Sequence, residues 1–200
     1  MGRKTKEEVL EEFRCTSIQD AAMAIIARKG VAEATMQEIA DEAGVAKGTL
    51  YVYFRDRDEL LAKTAARAYD NLVAELETAM HADGTLAERL TGVVLRQLSF
   101  FDEHRALFSA YIALGGDAKK LKAGSYQRYL QQIESLFVEA RQRGEIRDVE
   151  PHELGAIYAD LVRGVIVRRI EQESKTPREE LAEFVVSLLL RGIQEKPDEA

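Results

Sequence analysis

Residues 35–57 read TMQEIADEAGVAKGTLYVYFRDR, two short apolar-periodic segments hinged on a single glycine. Thr35-Met36-Gln37-Glu38 has the spacing of a capping box. The Thr35 hydroxyl can accept the Glu38 amide while the Glu38 carboxylate reaches back, so a helix starts here and runs to about residue 43. Gly44 supplies the conformation a sharp inter-helix turn needs, and Val45 is expected to plug that turn into the core. A third helix, 46–53, follows at once. Ile39, Ala40, Ala43, Val45, Leu50 and Phe54 form the apolar side. The opposite side of the third helix displays Lys47, Gly48, Thr49, Tyr51 and Tyr53: a cation, a bare backbone patch, a hydroxyl and two phenols, groups that reach phosphates and base edges. Gly48 costs about 1 kcal/mol against Ala inside a helix, so its presence points to close approach by another molecule.

Helical periodicity extends outward from this segment in both directions. Before it, residues 6–29 place Ile18, Ala21, Ala22, Ile25 and Ile26 on one stripe that Gly30 ends. After it, Asp58 and Glu59 open a long fourth helix to about residue 81, favourably for the helix dipole. Further helices are expected over 86–101, 105–114, 119–143, 153–170 and 178–193. The breaks fall at Asp83-Gly84, Gly115-Gly116, Gly144 through Pro151 and Lys175-Thr176-Pro177. Residues 196–200 read as a frayed tail. No segment alternates as a strand would, and the fold class is all-α.

Composition narrows the function classes. The 200 residues are 46% hydrophobic, enough for a real core. No apolar run approaches the roughly 20 residues that cross a bilayer, and a charged N-terminus is unlike a signal peptide, so the expectation is a cytoplasmic protein with no membrane partner. One cysteine, Cys15, builds neither a disulfide nor a zinc site and reads as a small apolar residue on a helix. His81, His104 and His152 have no metal-ligand spacing, and no nucleophile motif or phosphate loop is present. We therefore expect no catalytic residues, no metal and no cofactor. The net charge of −7 does not exclude a nucleic-acid partner, because local placement decides binding. Arg3, Lys4 and Lys6 lie at the start, and Lys47, Arg55 and Arg57 cluster around one short segment.

Over residues 14–61 the chain resembles the TetR family of transcriptional regulators (AcrR-like). The likeness is carried by Arg14-Cys-Thr-Ser-Ile-Gln-Asp-Ala-Ala22, Glu38-Ile-Ala-Asp-Glu-Ala-Gly-Val45, Gly48-Thr-Leu-Tyr-Val-Tyr-Phe54 and Leu60-Leu61; the remainder resembles the family only in length and helix count. The resemblance implies a three-helix helix-turn-helix DNA-binding domain over 1–57 and an effector-binding and dimerisation domain over 58–200. It also implies that Thr35 and the amides after it meet a phosphate, that Gln37, Lys47, Gly48, Thr49 and Tyr51 face the major groove, that Tyr53 meets a phosphate, and that Arg57 meets the DNA backbone. Two positions depart from the pattern. Ala46 stands where a capping Ser is frequent, and Val52 where a larger polar or aromatic residue is.

The last two helices carry apolar surface too wide for one neighbour: Leu154, Ile157, Tyr158, Leu161, Val162, Val165 and Ile166 on one, Leu181, Phe184, Val185, Leu188, Leu189 and Ile193 on the other. By resemblance these form a homodimer through 151–193 that reads a palindromic operator in double-stranded DNA, its half-sites roughly 34–36 Å apart. Between head and interface, aromatic and aliphatic residues including Phe101 and Phe108 are expected to line a cavity for a small, largely apolar effector, with Gln97, Tyr111, Tyr129 and Arg163 as polar anchors. The function expected is a repressor released from its operator by that effector. The rival is a helical small-molecule-binding protein with a weak or vestigial DNA-binding head.

Overall fold

The computed structural model describes residues 5–116, 123–172 and 174–193. Among them the chain forms nine helices and no strand: α1 (Lys6–Lys29), α2 (Met36–Glu42), α3 (Lys47–Tyr53), α4 (Arg57–Met80), α5 (Leu86–Glu103), α6 (Arg105–Ala113), α7 (Ala123–Gln142), α8 (Pro151–Gln172) and α9 (Arg178–Ile193). The chain divides into two compact units. One comprises Met1–Ala68 with His104–Asp117, the other Tyr69–Glu103 with Ala118–Ala200. The helix α4 contributes residues to both.

In the first unit α1 packs on α2 and on α6. Its start is fixed by a reciprocal cap in which the Thr5 hydroxyl accepts from the Glu8 amide at 3.2 Å and the Glu8 carboxylate accepts from the Thr5 amide at 2.7 Å. The expected stripe of Ile18, Ala21, Ala22, Ile25 and Ile26 is buried, as are Ile39, Ala40, Leu50, Phe54, Leu60 and Leu61. Each large aliphatic side chain so buried contributes about 1.5–3 kcal/mol. Val45 departs from expectation: it is half-buried, and the turn is held by backbone hydrogen bonds instead of a side-chain plug.

In the second unit α8 lies on α7 and α5, and α9 lies on α5. Leu90, Val93, Val94 and Leu98 of α5 are buried in its core, as are Ile133, Phe137, Tyr158, Val162 and Val185. Gly155 of α8 lies against α7, where an added Cβ would make ordinary van der Waals contact at 3.5 Å with Ile133 Cγ2 and the Glu134 backbone. The guanidinium of Arg169 grips Asp102 through two hydrogen bonds of 2.8 and 2.9 Å and donates to the Thr176 carbonyl at 2.7 Å, tying the α8–α9 connection to α5. One boundary needs correction. Pro151, read as part of a break, is the first residue of α8, where its missing N–H costs nothing and its fixed φ suits a helix. The expected start of α7 at 119, the frayed tail at 196–200, Arg3, Lys4 and the side chain of Ile193 lie outside the described residues.

Candidate nucleic-acid interface

The presentation of α3 begins at the end of α1. The Lys29 ammonium binds the Glu38 carboxylate, and Arg28 binds Glu42 at 3.0 Å, so two ion pairs tie α1 to α2. Glu38 also completes the capping box: its amide donates to the Thr35 hydroxyl at 3.2 Å, and its carboxylate accepts from the Thr35 amide at 3.2 Å and the Thr35 hydroxyl at 3.0 Å. The Lys29 hydrogen bond first, and those from Thr35 after it, hold the Glu38 carboxyl down at about 2. Both polar groups of Thr35 are thus engaged within the head. Gln37 is exposed and donates to Asp41 at 2.8 Å.

The turn after α2 is a Schellman motif. Gly44, at φ +67, donates to the Asp41 carbonyl at 3.1 Å, and Val45 donates to the Ala40 carbonyl at 2.9 Å. A residue with a Cβ would be strained at that φ, which is why glycine occupies it. The turn launches α3 from Ala46, whose side chain makes no cap; the Thr49 and Leu50 amides close on the Ala46 carbonyl at 2.8 and 3.2 Å.

One side of α3 is sealed, with Leu50 and the following Phe54 fully buried. The other side faces out. Lys47, Gly48, Tyr51 and Val52 are exposed, Thr49 and Tyr53 are half-buried, and a Cβ added at Gly48 would meet nothing within 4 Å. The structure therefore brings Lys47, Gly48, Thr49, Tyr51 and Tyr53 together on one short helix. Below it, Lys63 lies 5.3 Å over the Phe54 ring and pairs with Glu59 at 3.0 Å, while the Asp56 carboxylate accepts the Glu59 amide at 2.8 Å and starts α4. Arg57 is placed differently from the exposed cations: its part-buried guanidinium donates to the Val31 carbonyl and braces the α1–α2 connection.

The candidate effector residues do not fall in one unit. Phe108 and Tyr111 are buried on α6 in the first, whereas Gln97, Phe101, Tyr129 and Arg163 belong to the second. There the Gln97 amide donates to the Tyr129 hydroxyl at 3.0 Å, both buried. Phe101 meets Phe100 edge-on at 5.3 Å, and Arg163 pairs with Asp160 at 3.4 Å. A separate cleft of about 360 Å³ lies between the end of α4 with the turn after it and α7, its lining including His81, Arg128, Gln132 and Glu139. The sequence puts Tyr158 and Ile157 in one wide stripe, and the structure separates them: Tyr158 is fully buried and Ile157 is 59% exposed. Helical spacing cannot separate the two until the neighbours of α8 are known. Among the described residues no cluster of His, Cys, Asp or Glu is arranged to hold a metal, and no helix is long and apolar enough to cross a membrane.

A buried-faced helix, a Schellman turn and an outward helix of cation, glycine, hydroxyl and phenols define a helix-turn-helix DNA-binding protein. Residues 18–64 match the family of bacterial regulatory proteins, tetR family. The chain is 25% identical to the fatty acid metabolism regulator protein of Bacillus subtilis (strain 168), over 90% of this chain and 95% of that one. It is 27% identical to the transcriptional repressor KstR of Mycolicibacterium smegmatis, over 90% and 88%. A TetR-family regulator from Pectobacterium atrosepticum has the same fold, with a TM-score of 0.81 at 19% identity, covering 97% of this chain and 100% of the other. So does FadR of Bacillus subtilis, solved with stearoyl-CoA, with a TM-score of 0.70 at 23% identity over 90% and 99%. The chain is similar to TetR-family regulators over most of its length, and it is a DNA-binding transcriptional regulator.

Proposed function

We propose that this regulator is a cytoplasmic repressor that binds a palindromic operator as a homodimer and leaves it when a small, largely apolar effector binds. The observation that carries the reading is the division of labour on α3, where Leu50 and Phe54 are sealed in the head while Lys47, Gly48 and Tyr51 face out. In the proposed complex Lys47, Gly48, Thr49 and Tyr51, with Gln37 from α2, meet the major groove. Tyr53 meets a phosphate, as does the start of α2 after Thr35, and Arg57, which also donates to the Val31 carbonyl, contacts the DNA backbone.

Dimerisation supplies what one seven-residue helix lacks in affinity. Its support is a face of α8 and α9 that the second unit does not cover. Ile157, Phe184 and Leu188 are 59%, 60% and 55% exposed, with Leu161 and Leu181 half-buried beside them. We place the homodimer interface on this face, within 151–193. The effector domain is taken as 58–200, with Gln97, Phe101, Tyr129 and Arg163, which share one compact unit, as its candidate contacts. Release requires the effector to favour the state off DNA; a shift from 1:99 to 99:1 needs about 5.5 kcal/mol of differential binding.

The test is fluorescence anisotropy of labelled DNA from the gene's own upstream region, titrated with the protein and then with stearoyl-CoA as the first probe. Saturable binding that the acyl thioester reverses supports the repressor reading. Binding that no apolar probe reverses would leave a DNA-binding regulator without the proposed release.

A further inference from the structure

The second unit holds a neutral polar cluster that the DNA-binding machinery does not use. Tyr69 of α4, Gln97 of α5, Tyr126 and Tyr129 of α7 and Tyr158 of α8 are all buried, from 8% exposure at Tyr126 to zero at Tyr158. Tyr158 packs its ring edge-on against Phe137 at 6.0 Å, and Tyr126 and Tyr129 lie 6.4 Å apart between ring centres. Gln97 donates to the Tyr129 oxygen at 3.0 Å, which leaves the Tyr129 proton to be given onward. The Tyr158 hydroxyl has no hydrogen-bond partner among the described residues. Buried hydroxyls are paired as a rule, so an interior phenol with nothing to donate to is a feature that asks for a partner.

We infer that Tyr158 is the polar anchor of the effector site, and that it receives an uncharged oxygen acceptor, the carbonyl of an ester, thioester, ketone or amide, in preference to a carboxylate. This rests on the effector reading above. The cluster offers phenol O–H donors and an amide within apolar walls, which suit a carbonyl oxygen. An ionised carboxylate carried there would lose its hydration without gaining a counter-charge. Desolvation raises the phenol pKa values of Tyr69, Tyr129 and Tyr158, so the hydroxyls remain protonated donors. Three cations of the unit are already matched: Arg169 by Asp102, Arg96 by Glu75, Arg128 by Asp70. Arg89 is the rival anchor for an acid. It is buried, and its Nε and Nη2 have no partner among the described residues, but Nη1 already holds Glu139 at 3.1 Å.

The experiment compares methyl decanoate with decanoate by isothermal titration against the full chain and its Tyr158→Phe variant. The ester is expected to bind wild type at least tenfold more tightly than the acid. Tyr158→Phe should weaken the ester fivefold to tenfold, the loss of one neutral hydrogen bond, and leave the acid unchanged. The ligand-free variant should melt no lower than wild type, because the deleted hydroxyl has no partner to lose. Four results would overturn the assignment: no binding of either probe, an acid that binds as well as the ester, an ester indifferent to Tyr158→Phe, or a lowered melting temperature in the variant. An operator-release arm separates the two claims. If the ester releases DNA equally from both proteins, the effector reading survives and Tyr158 does not; if it binds through Tyr158 without releasing DNA, the anchor survives and the release mechanism fails.

Discussion

Replacing Gly48 by alanine should push stability and DNA binding in opposite directions. Gly48 sits in the first turn of α3, solvent-exposed, at a φ open to any residue, and its added Cβ meets nothing within 4 Å. A Gly-to-Ala change in a compatible helix gains about 0.4–1 kcal/mol, and a first-turn position favours the lower end, about 0.5 kcal/mol. For a chain of 200 residues that raises the melting temperature by roughly 1–2 °C. If the glycine is there to let the α3 backbone approach DNA, the new methyl must hold the helix off the groove. We expect operator affinity to fall at least tenfold, about 1.4 kcal/mol. Paired calorimetric melts and anisotropy titrations at one salt concentration measure both. A variant that is more stable and binds operator like wild type would refute the placement of Gly48 against DNA. A less stable variant would refute the open surroundings described for it.

Thr35→Ala removes the hydroxyl that caps α2 and should cost about 1 kcal/mol, seen as a melting temperature lower by roughly 2–4 °C. Phe184→Glu should break the dimer while sparing the fold, since the side chain is 60% exposed within one chain. Two copies of a buried side chain at about 1.5–3 kcal/mol each weaken association by at least a hundredfold, which analytical ultracentrifugation reads directly. Glu38 gives a pH signature. Its carboxyl is depressed in the folded head, so its contribution is complete above the ordinary value of 4.5 and disappears as pH falls toward about 2. Melts of wild type and Glu38→Gln should therefore differ near neutral pH and converge across that window.

The helices of the head were legible because each boundary carries its own local chemistry. Thr35 and Glu38 announce α2, Gly30 and Gly44 end α1 and α2, and the stripe from Ile18 to Ile26 needs only its own spacing. Thr5–Glu8 and Thr85–Glu88 carry the same signal in the sequence, and both form caps. What could not be read was anything set by distant neighbours. Arg57 looks like an exposed cation until Val31 is brought to it across 26 residues, and Arg169 finds Asp102 across 67. On α8 the same difficulty merged Tyr158 with Ile157, because inward and outward become distinct only once α7 and α5 take their places. The outward face of α3 was foreseeable since one turn and two buried residues orient it.

The measurement that bears most directly on the central claim is the salt dependence of operator binding by wild type and by Lys47→Ala. If α3 is the reading helix and Lys47 neutralises a phosphate or lies beside one, log affinity should fall steeply and linearly with log salt, and the variant's slope should be shallower by about 0.9. An unchanged slope and affinity in Lys47→Ala would contradict that placement. Salt-insensitive binding no tighter than to random DNA would contradict the assignment of this head as a DNA reader.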